Sequence, residues 1–176
     1  TPSGNLYITG TTDKRGTKIT FKPDTQIFES VEFSFETLSQ RLRELAFLNA
    51  GVTITIEDER DGRSHNFLYE GGIREFVEYL NKNKTAVNDK PIFMSGERDL
   101  ISVEIALQWN DSYSELTYTF ANNINTVEGG THLSGFRAAL TRTINHYAQR
   151  NNLSDKLSDS VSGDDVREGL TAVISV

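Results

Sequence analysis

Basic side chains recur at regular intervals in the C-terminal third of this sequence. Arg142, His146 and Arg150 are each four positions apart, and Arg137 lies at the border of the same stripe. Residues spaced by four lie on one side of an α-helix, so the stripe predicts a helix with a basic edge. Such an edge can contact phosphates, and the alternatives are ordinary surface charge or an ion pair within the protein. Arg137, Arg142 and Arg150 are the arginines of this basic edge.

Other residue types that carry chemistry are not arranged for it. His65, His132 and His146 have no H-E-x-x-H or D-x-[DN] pattern around them, so no metal site is predicted. The serines occur without a G-x-S-x-G motif. The chain contains no cysteine, which excludes thiol chemistry and disulfides. The sequence therefore does not predict an enzyme that works alone.

The basic stripe belongs to the longest predicted helix, residues 127–151. Its other side is apolar, because five large side chains recur at intervals of three and four. They are Leu133, Phe136, Leu140, Ile144 and Tyr147. Thr131 is the expected N-cap, and the polar run at 150–152 ends the helix.

A sheet with one apolar face is predicted immediately before this helix. Residues 101–109 alternate between apolar and polar side chains, a turn follows at 110–112, and the alternation resumes at 116–120. These two strands are expected to pair in an antiparallel sheet, and the long helix is expected to cover its apolar face. The fold class is therefore α+β.

The remaining elements follow from local patterns. A helix begins after the N-cap Ser34 and stops at Gly51, with an apolar face of Phe35, Leu38, Leu42, Leu45 and Leu48. Further expectations are a hairpin of 52–57 and 66–69, a helix at 73–80, a hairpin of 6–8 and 18–21 around a turn at 13–16, a polar surface loop at 153–162, a short helix at 166–170 capped by Ser162 or Asp164, and a strand at 171–176.

Composition limits the class of protein. The 176 residues, 36% apolar and 24% charged, fit one soluble domain with a fragment of another. No apolar run approaches the roughly 20 residues of a membrane span, and no signal peptide is visible. The formal net charge of −7 argues against a surface that holds DNA by bulk attraction, so a nucleic-acid contact must come from a local patch. The start without Met and the end inside a strand-like run indicate a piece of a longer protein.

Five segments, in the same order, resemble the bacterial DNA gyrase B family. The clearest is E-G-G-T-H-L-S-G-F-R-A-A-L-T-R-T at 128–143, which is similar to the signature E-G-G-T-H-x-x-G-F-[RK]-x-A-[LM]-T-R-T. The other four are R-L-R-E-L-A-F-L-N at 41–49, Y-E-G-G-I at 69–73, A-L-Q-W-N-D at 106–111 and G-D-D-V-R-E-G-L at 163–170. Chance does not explain five collinear matches.

The resemblance implies a fold and a division of the chain. Residues 25–176 would form a truncated transducer domain, an α+β fold of ribosomal-protein type. Its antiparallel or mixed sheet would carry helices on one face and a β-α-β unit with a left-handed crossover. Residues 1–24 would be the last hairpin of a Bergerat-type ATPase domain, because G-T-K-I-T-F-K-P at 16–23 resembles the segment that closes it. The family's Thr in this segment reaches the adenine pocket, so Thr17 is the implied nucleotide contact.

The resemblance also implies a role inside a larger enzyme. The family is a cytoplasmic DNA topoisomerase, an isomerase that uses ATP and Mg²⁺ to introduce negative supercoils, together with a gyrase A protein and a second copy of gyrase B. Its ATP-hydrolysing residues lie upstream of this segment, and its γ-phosphate lysine loop lies downstream. This piece alone is therefore expected to be inactive and to bind no cofactor tightly. Its role would be to couple ATP use to strand passage, with Arg137, Arg142 and Arg150 facing the captured duplex.

Two alternatives remain. The corresponding protein of topoisomerase IV shares fold and mechanism, although T-R-T-I-N and G-D-D-V-R-E-G are more typical of gyrase. An independent interaction or RNA-binding module that shares only the fold would bind nucleic acid tightly by itself.

Overall fold

The computed structural model describes residues 4–5, 7–13, 16–153 and 161–176. They belong to two compact units, Thr1–Phe33 and Ser34–Val176. The described residues of the first unit contain no helix or strand, so residues 7–8 and 18–21 do not pair as the predicted hairpin. Two strands alone are marginal in water, and the further strands that would support them are absent from this unit's described part.

The described residues of the second unit contain the helices α1 Phe35–Leu48, α2 Ile73–Leu80, α3 Thr131–Arg150 and α4 Gly163–Arg167. Its strands are β1 Ile54–Asp58, β2 Arg63–Phe67, β3 Ile92–Arg98, β4 Ile101–Trp109, β5 Leu116–Ala121, β6 Ile124–Asn125 and β7 Leu170–Ser175. β1 and β2 form the predicted antiparallel hairpin. The predicted loop at 153–162 lies mostly outside the described residues.

The main sheet is mixed and has the strand order β3-β4-β7-β5-β6. β7 pairs antiparallel with β4 and parallel with β5, so it separates two strands that were expected to be neighbours. The predicted pairing of β4 with β5 is therefore wrong, because the last strand of the chain inserts between them. The segment β5-α3-β7 forms a parallel β-α-β unit, and the left hand of its crossover stays a prediction.

Helices pack on both faces of this sheet. On one face, Phe47 of α1 and Phe76 of α2 cluster with Ala106 of β4. On the other face, Phe136 of α3 clusters with Leu107, the next residue of β4. Successive residues of a strand point to opposite faces, so β4 serves both layers. The mixed α+β class is confirmed, whereas cover on one face only is wrong.

The central strand explains why both faces are covered. β7 reads L-T-A-V-I-S and is buried along almost its whole length, with Val173 in one cluster and Ala172 and Ile174 in the other. A strand that is apolar on both sides needs a layer of helices on each side. The run at 171–176 already carried this signal.

Two helices bury faces that differ from the predicted ones. α1 has its expected N-cap, because Ser34 accepts a hydrogen bond from the backbone N–H of Thr37 at 3.2 Å. It buries Ala46 and Phe47, however, and leaves Leu38 40% exposed. Phe47 stacks on Phe76 with ring centroids 4.7 Å apart, so contact with α2 decides which side faces inward.

α3 follows the prediction through its first half and departs from it near its end. Phe136 is 9% exposed and joins the core as expected, but Tyr147 is 63% exposed and Ala148 is buried in its place. The helix begins at Thr131 with Gly130 in the N-cap position, so the prediction that Thr131 is the N-cap is wrong. The expected Ser162 cap of α4 is confirmed as a capping box with Asp165.

A buried polar network ties α2 to the sheet. Asn81 at the end of α2 donates to Gln108 of β4 at 2.9 Å and accepts from Thr171 of β7 at 2.7 Å. Asn110 donates to both Asn81 and Thr171, at 3.2 and 3.1 Å. No buried side-chain polar atom among the described residues lacks a hydrogen-bond partner. Satisfied networks of this kind fix one packing arrangement.

Gly169 allows β7 to enter the sheet. Its φ is +68°, and a Cβ there would collide with the carbonyl oxygens of Asn110 and Ser112. Only glycine combines this backbone conformation with so close an approach. No helix in the described part of the chain is long and apolar enough to cross a bilayer.

Candidate nucleic-acid interface

The predicted basic stripe lies along α3 on its solvent side. Arg142, His146 and Arg150 are exposed, while Phe136 packs in the cluster against the sheet. The side chains of Arg142 and Arg150 make no hydrogen bond or ion pair with another described residue. The structure therefore leaves two arginines of the stripe available to an external anion.

Arg137 is held by an ion pair inside the protein. Its Nε and Nη2 donate to one oxygen of Glu115, at 3.0 and 2.9 Å. Arg167 of α4 donates through Nε to the other oxygen of Glu115, at 3.0 Å. The Arg137 side chain is still 41% exposed, against 19% for Glu115. The intramolecular pair that was one alternative for Arg137 is therefore present, and a DNA contact of this residue stays a prediction.

Glu115 is the residue of this site that sequence reasoning missed. It precedes β5, and its two arginine partners are 22 and 52 positions away along the chain. A single glutamate before a strand has no periodic or motif signal of its own. The signature motifs contain Arg137 and Arg167, but they do not reveal that both reach the same carboxylate.

The charge around α3 restricts the basic surface to a short edge. α4 packs beside α3, and the first turn of α4 contains Asp164 and Asp165. Arg167 is neutralised by Glu115 and by Asp164, which accepts from its Nη2 at 2.7 Å. Arg150 lies in the last turn of α3, where a cation also offsets the helix dipole. The positive edge therefore consists chiefly of Arg142 and Arg150.

The predicted nucleotide contact lies in the first unit. Thr17 is exposed and belongs to a stretch, residues 16–24, that has no helix or strand. The structure does not bring it together with other chemistry-bearing side chains, and its role stays a prediction.

The described residues contain no group of three or more His, Cys, Asp or Glu that could hold a metal ion. His132 lies 3.2 Å from Thr126 through Nε2, and His65 lies 2.6 Å from Ser39 through Nδ1. His146 is exposed on α3. No step of a reaction is assigned to these histidines.

Comparison with known proteins identifies similar relatives. The family model described as DNA gyrase B matches residues 72–176, more than half of the chain. A DNA gyrase B protein from Myxococcus xanthus is 63% identical over 167 residues, which are 95% of this chain and 20% of that protein. The chain thus spans about one fifth of that relative's length.

Solved structures agree with the fold. The 43K ATPase domain of Thermus thermophilus gyrase B, solved with an aminocoumarin, matches with a TM-score of 0.76 and 35% identity over 88% of this chain and 42% of that one. A topoisomerase IV ATP-binding domain from Francisella tularensis matches with a TM-score of 0.69 and 21% identity over 87% of this chain and 41% of that one. At that identity the second match supports the fold alone.

Proposed function

Because this chain belongs to the DNA gyrase B family, we propose that it is the part of a type II DNA topoisomerase that couples ATP use to strand passage. The complete enzyme is an isomerase that introduces negative supercoils into DNA. The observation that carries this proposal is the match of the whole β-α-β body, rather than of an isolated motif, to gyrase B relatives.

The geometry suits transmission of motion. α3 has 20 residues and a length of about 30 Å, and one side of it is packed against the central sheet. Helices on both sheet faces and the satisfied polar network would give this unit the stiffness to move as one body. Coupling needs such a stiff element and contacts whose energies differ between two states. The exposed edge of Arg142 and Arg150 would supply contacts to DNA phosphates.

The proposed domain boundaries and the role of each domain are those that the family resemblance implies. Residues 1–24 end the ATPase domain, with Thr17 touching the adenine pocket, and 25–176 form the transducer domain. Apart from the proposed contact of Thr17, ATP and Mg²⁺ would bind in the complete gyrase B protein through residues other than those described here. The proposed partners are DNA, a gyrase A protein and a second copy of gyrase B, and the proposed location is the cytoplasm, where the DNA lies.

Gyrase is favoured over the two alternatives. Among the solved structures, the gyrase B domain from Thermus thermophilus matches at 35% identity and the topoisomerase IV domain at 21%. An independent nucleic-acid-binding module would need a broad basic surface, whereas the net charge is −7 and α3 offers two unpaired arginines within the described residues.

The test uses the full-length gyrase B protein that contains this chain, reconstituted with gyrase A. We expect ATP-dependent negative supercoiling of relaxed plasmid DNA. The double variant Arg142→Gln/Arg150→Gln is expected to lower the salt dependence of DNA binding, the slope of log K against log salt, by about 2, because each arginine neutralises one phosphate. The same double variant should have a lower rate of DNA-stimulated ATP turnover.

The matched control is Arg98→Gln, an exposed arginine at the end of β3. It should leave supercoiling and the salt slope unchanged. Decatenation or relaxation without supercoiling would favour topoisomerase IV. Full supercoiling by the double variant would remove Arg142 and Arg150 from the DNA interface while leaving the assignment as a topoisomerase intact.

A further inference from the structure

A cleft opens on the face of the sheet opposite α3. It lies between α1, β2 and α2, is also lined by Tyr118 of β5, and has a volume of about 620 Å³. This volume is typical of small-molecule sites. Aromatic rings make up much of its lining, contributed by Phe35, Phe76, Tyr79 and Tyr118.

Arg43 of α1 supplies a positive charge to this cleft. Its Nη1 donates to the hydroxyl of Tyr79 at 2.8 Å, and its guanidinium lies 5.2 Å from the ring centroid of Phe67 and 5.3 Å from that of Tyr79. Burial raises the pKa of the Tyr69 hydroxyl, and Arg43 opposes that rise through its charge and a hydrogen bond. Its hydrogen-bond partner Tyr79 is a phenol and not a carboxylate, so it holds the guanidinium in place without forming an ion pair with it. A guanidinium has five N–H donors, which leaves donors for a ligand.

The acidic residues of the cleft do not neutralise Arg43, because they have arginine partners of their own. Glu44 accepts from Arg41 at 2.9 Å, and Glu36 forms an ion pair with Arg63. Among the described residues, no carboxylate lies within ion-pair distance of Arg43. An anion entering the cleft would therefore meet an uncompensated cation there.

His65 of β2 provides a second polar group in the same cleft. Its Nδ1 lies 2.6 Å from the hydroxyl of the buried Ser39, which fixes the ring. Its ring is 5.7 Å from that of Phe67, so Arg43 and His65 pack against the same aromatic side chain. The His65 Nε2 makes no hydrogen bond with another described residue and is left for a ligand.

We propose that this cleft binds a small planar aromatic anion. The flat ring packs against the aromatic lining, the anionic group accepts hydrogen bonds from Arg43, and the Nε2 of His65 makes a further hydrogen bond. Both aromatic carboxylates and nucleoside monophosphates have this chemistry. The site lies on the opposite sheet face from the arginines of α3, so it does not rest on the proposed topoisomerase function.

The test is a ¹H–¹⁵N NMR titration of the chain, with salicylate and separately with AMP. Saturable shifts are expected at residues of α1, β2 and α2. Arg43→Gln should weaken binding of the preferred probe about tenfold or more, because it removes a charge-assisted hydrogen bond. Arg43→Lys should weaken it less, because the charge remains while the planar fork is lost.

The control is Arg74→Gln, which changes an arginine of α2 that lies over the Phe93 ring outside the cleft. It should bind as the wild-type chain does, and thermal melting should show that each variant is folded. Tighter binding of salicylate identifies a carboxylate ligand, and tighter binding of AMP identifies a nucleotide. Absence of cleft shifts with both probes, or wild-type binding by Arg43→Gln, overturns the proposal.

Discussion

Glu115 accepts hydrogen bonds from arginines on two different helices. Arg137 on α3 and Arg167 on α4 each bind one of its carboxylate oxygens. The carboxylate and Arg167 are less than one fifth exposed, so the pair is partly removed from water. A shared carboxylate of this kind fixes α3 and α4 relative to the start of β5.

Replacing Glu115 should lower the free energy of unfolding more than replacing Arg137 does. Glu115→Gln leaves Arg137 without its anion and Arg167 with only the exposed Asp164, and it should lower the free energy of unfolding by about 1–3 kcal/mol. Arg137→Gln should cost less than about 1 kcal/mol, because Arg167 still neutralises Glu115. Urea denaturation measures both. Unfolding by Arg137→Gln would make Arg137 a structural residue and remove it from the DNA edge.

Asp58 at the end of β1 gives the hairpin a pH-dependent contact. The side chain of Arg60, followed by its backbone N–H, hydrogen-bonds the carboxylate and lowers the pKa of Asp58 to about 2. A depressed pKa stabilises the folded state above the unfolded pKa of about 3.9, and this contribution is lost as the pH falls through the folded value. Asp58→Asn should therefore melt below wild type at neutral pH.

The difference in melting temperature between Asp58→Asn and wild type should shrink as the pH falls from about 4 to 2, because the Asp58 carboxylate of the wild type is protonated over this range. Asp89→Asn, in an exposed turn, is the control and should show no such convergence. A gap that stays constant down to pH 2 would contradict the role of Asp58.

At the level of single residues, the sequence predicted the exposed basic edge of α3 but not the contacts that its residues make with other elements. The four-residue spacing of Arg142, His146 and Arg150 places them along one edge of a helix, and all three are exposed. The capture of Arg137 by Glu115 depends on how α3 meets β5, which no local pattern encodes. Arg43 and His65 are likewise brought to one cleft only by the packing of α1 against β2.

Among the elements, the β3–β4 hairpin carries local backbone strain. Asp99 and Leu100 both have positive φ, 52° and 64°, between the paired residues Arg98 and Ile101. Such two-residue turns favour Asn-Gly, and Leu100 gains nothing from packing because it is 95% exposed. Leu100→Gly should therefore raise the free energy of unfolding by about 0.5–1 kcal/mol.

Leu100→Ala is the matched variant, because alanine keeps the Cβ that disfavours this conformation. It should not stabilise the chain, and urea denaturation of both variants measures the difference. A loss of stability in Leu100→Gly would show that the leucine side chain makes a contact that this turn needs.

α3 allows a comparison of two residues that were predicted to share one face. Phe136→Ala should cost about 3–5 kcal/mol, because it removes a large side chain from the cluster with Leu107 and Ile174. Tyr147→Ala should cost under about 0.5 kcal/mol, because the ring is mostly exposed. Thermal or urea unfolding distinguishes them. Equal costs would place Tyr147 in a contact that the described residues do not contain.

At the level of elements, the sequence predicted the positions of helices and strands better than it predicted which strands pair. The bounds of α1 and α2, the β1–β2 hairpin and most of α3 follow from spacing and capping residues. α1 has two overlapping apolar stripes, and the choice between Leu38 and Phe47 is made by Phe76 and Tyr69, which stack on Phe47. The insertion of β7 between β4 and β5 depends on long-range pairing, which a local window cannot contain.

For the whole molecule, net charge and local charge oppose each other. The chain has a formal charge of −7, while α3 presents Arg142 and Arg150 to solvent. The acidic first turn of α4 lies next to α3 and narrows the positive region. DNA would thus meet a short cationic edge on a repulsive background.

This balance predicts weak, salt-sensitive DNA binding by the chain alone. Arg142 and Arg150, which have no ion-pair partner among the described residues, would neutralise about two phosphates, and this corresponds to a slope of log K against log salt of about −2. At physiological ionic strength, charges are screened over a distance of about 8 Å, which weakens the attraction between the arginines and phosphates as well as the repulsion from the acidic residues.

Fluorescence anisotropy with duplex DNA should therefore detect binding at low salt that disappears near physiological salt. Arg142→Gln/Arg150→Gln should abolish it, and Arg98→Gln should not. Nanomolar binding that resists salt would instead identify an independent nucleic-acid-binding module, whose affinity comes from contacts other than this edge.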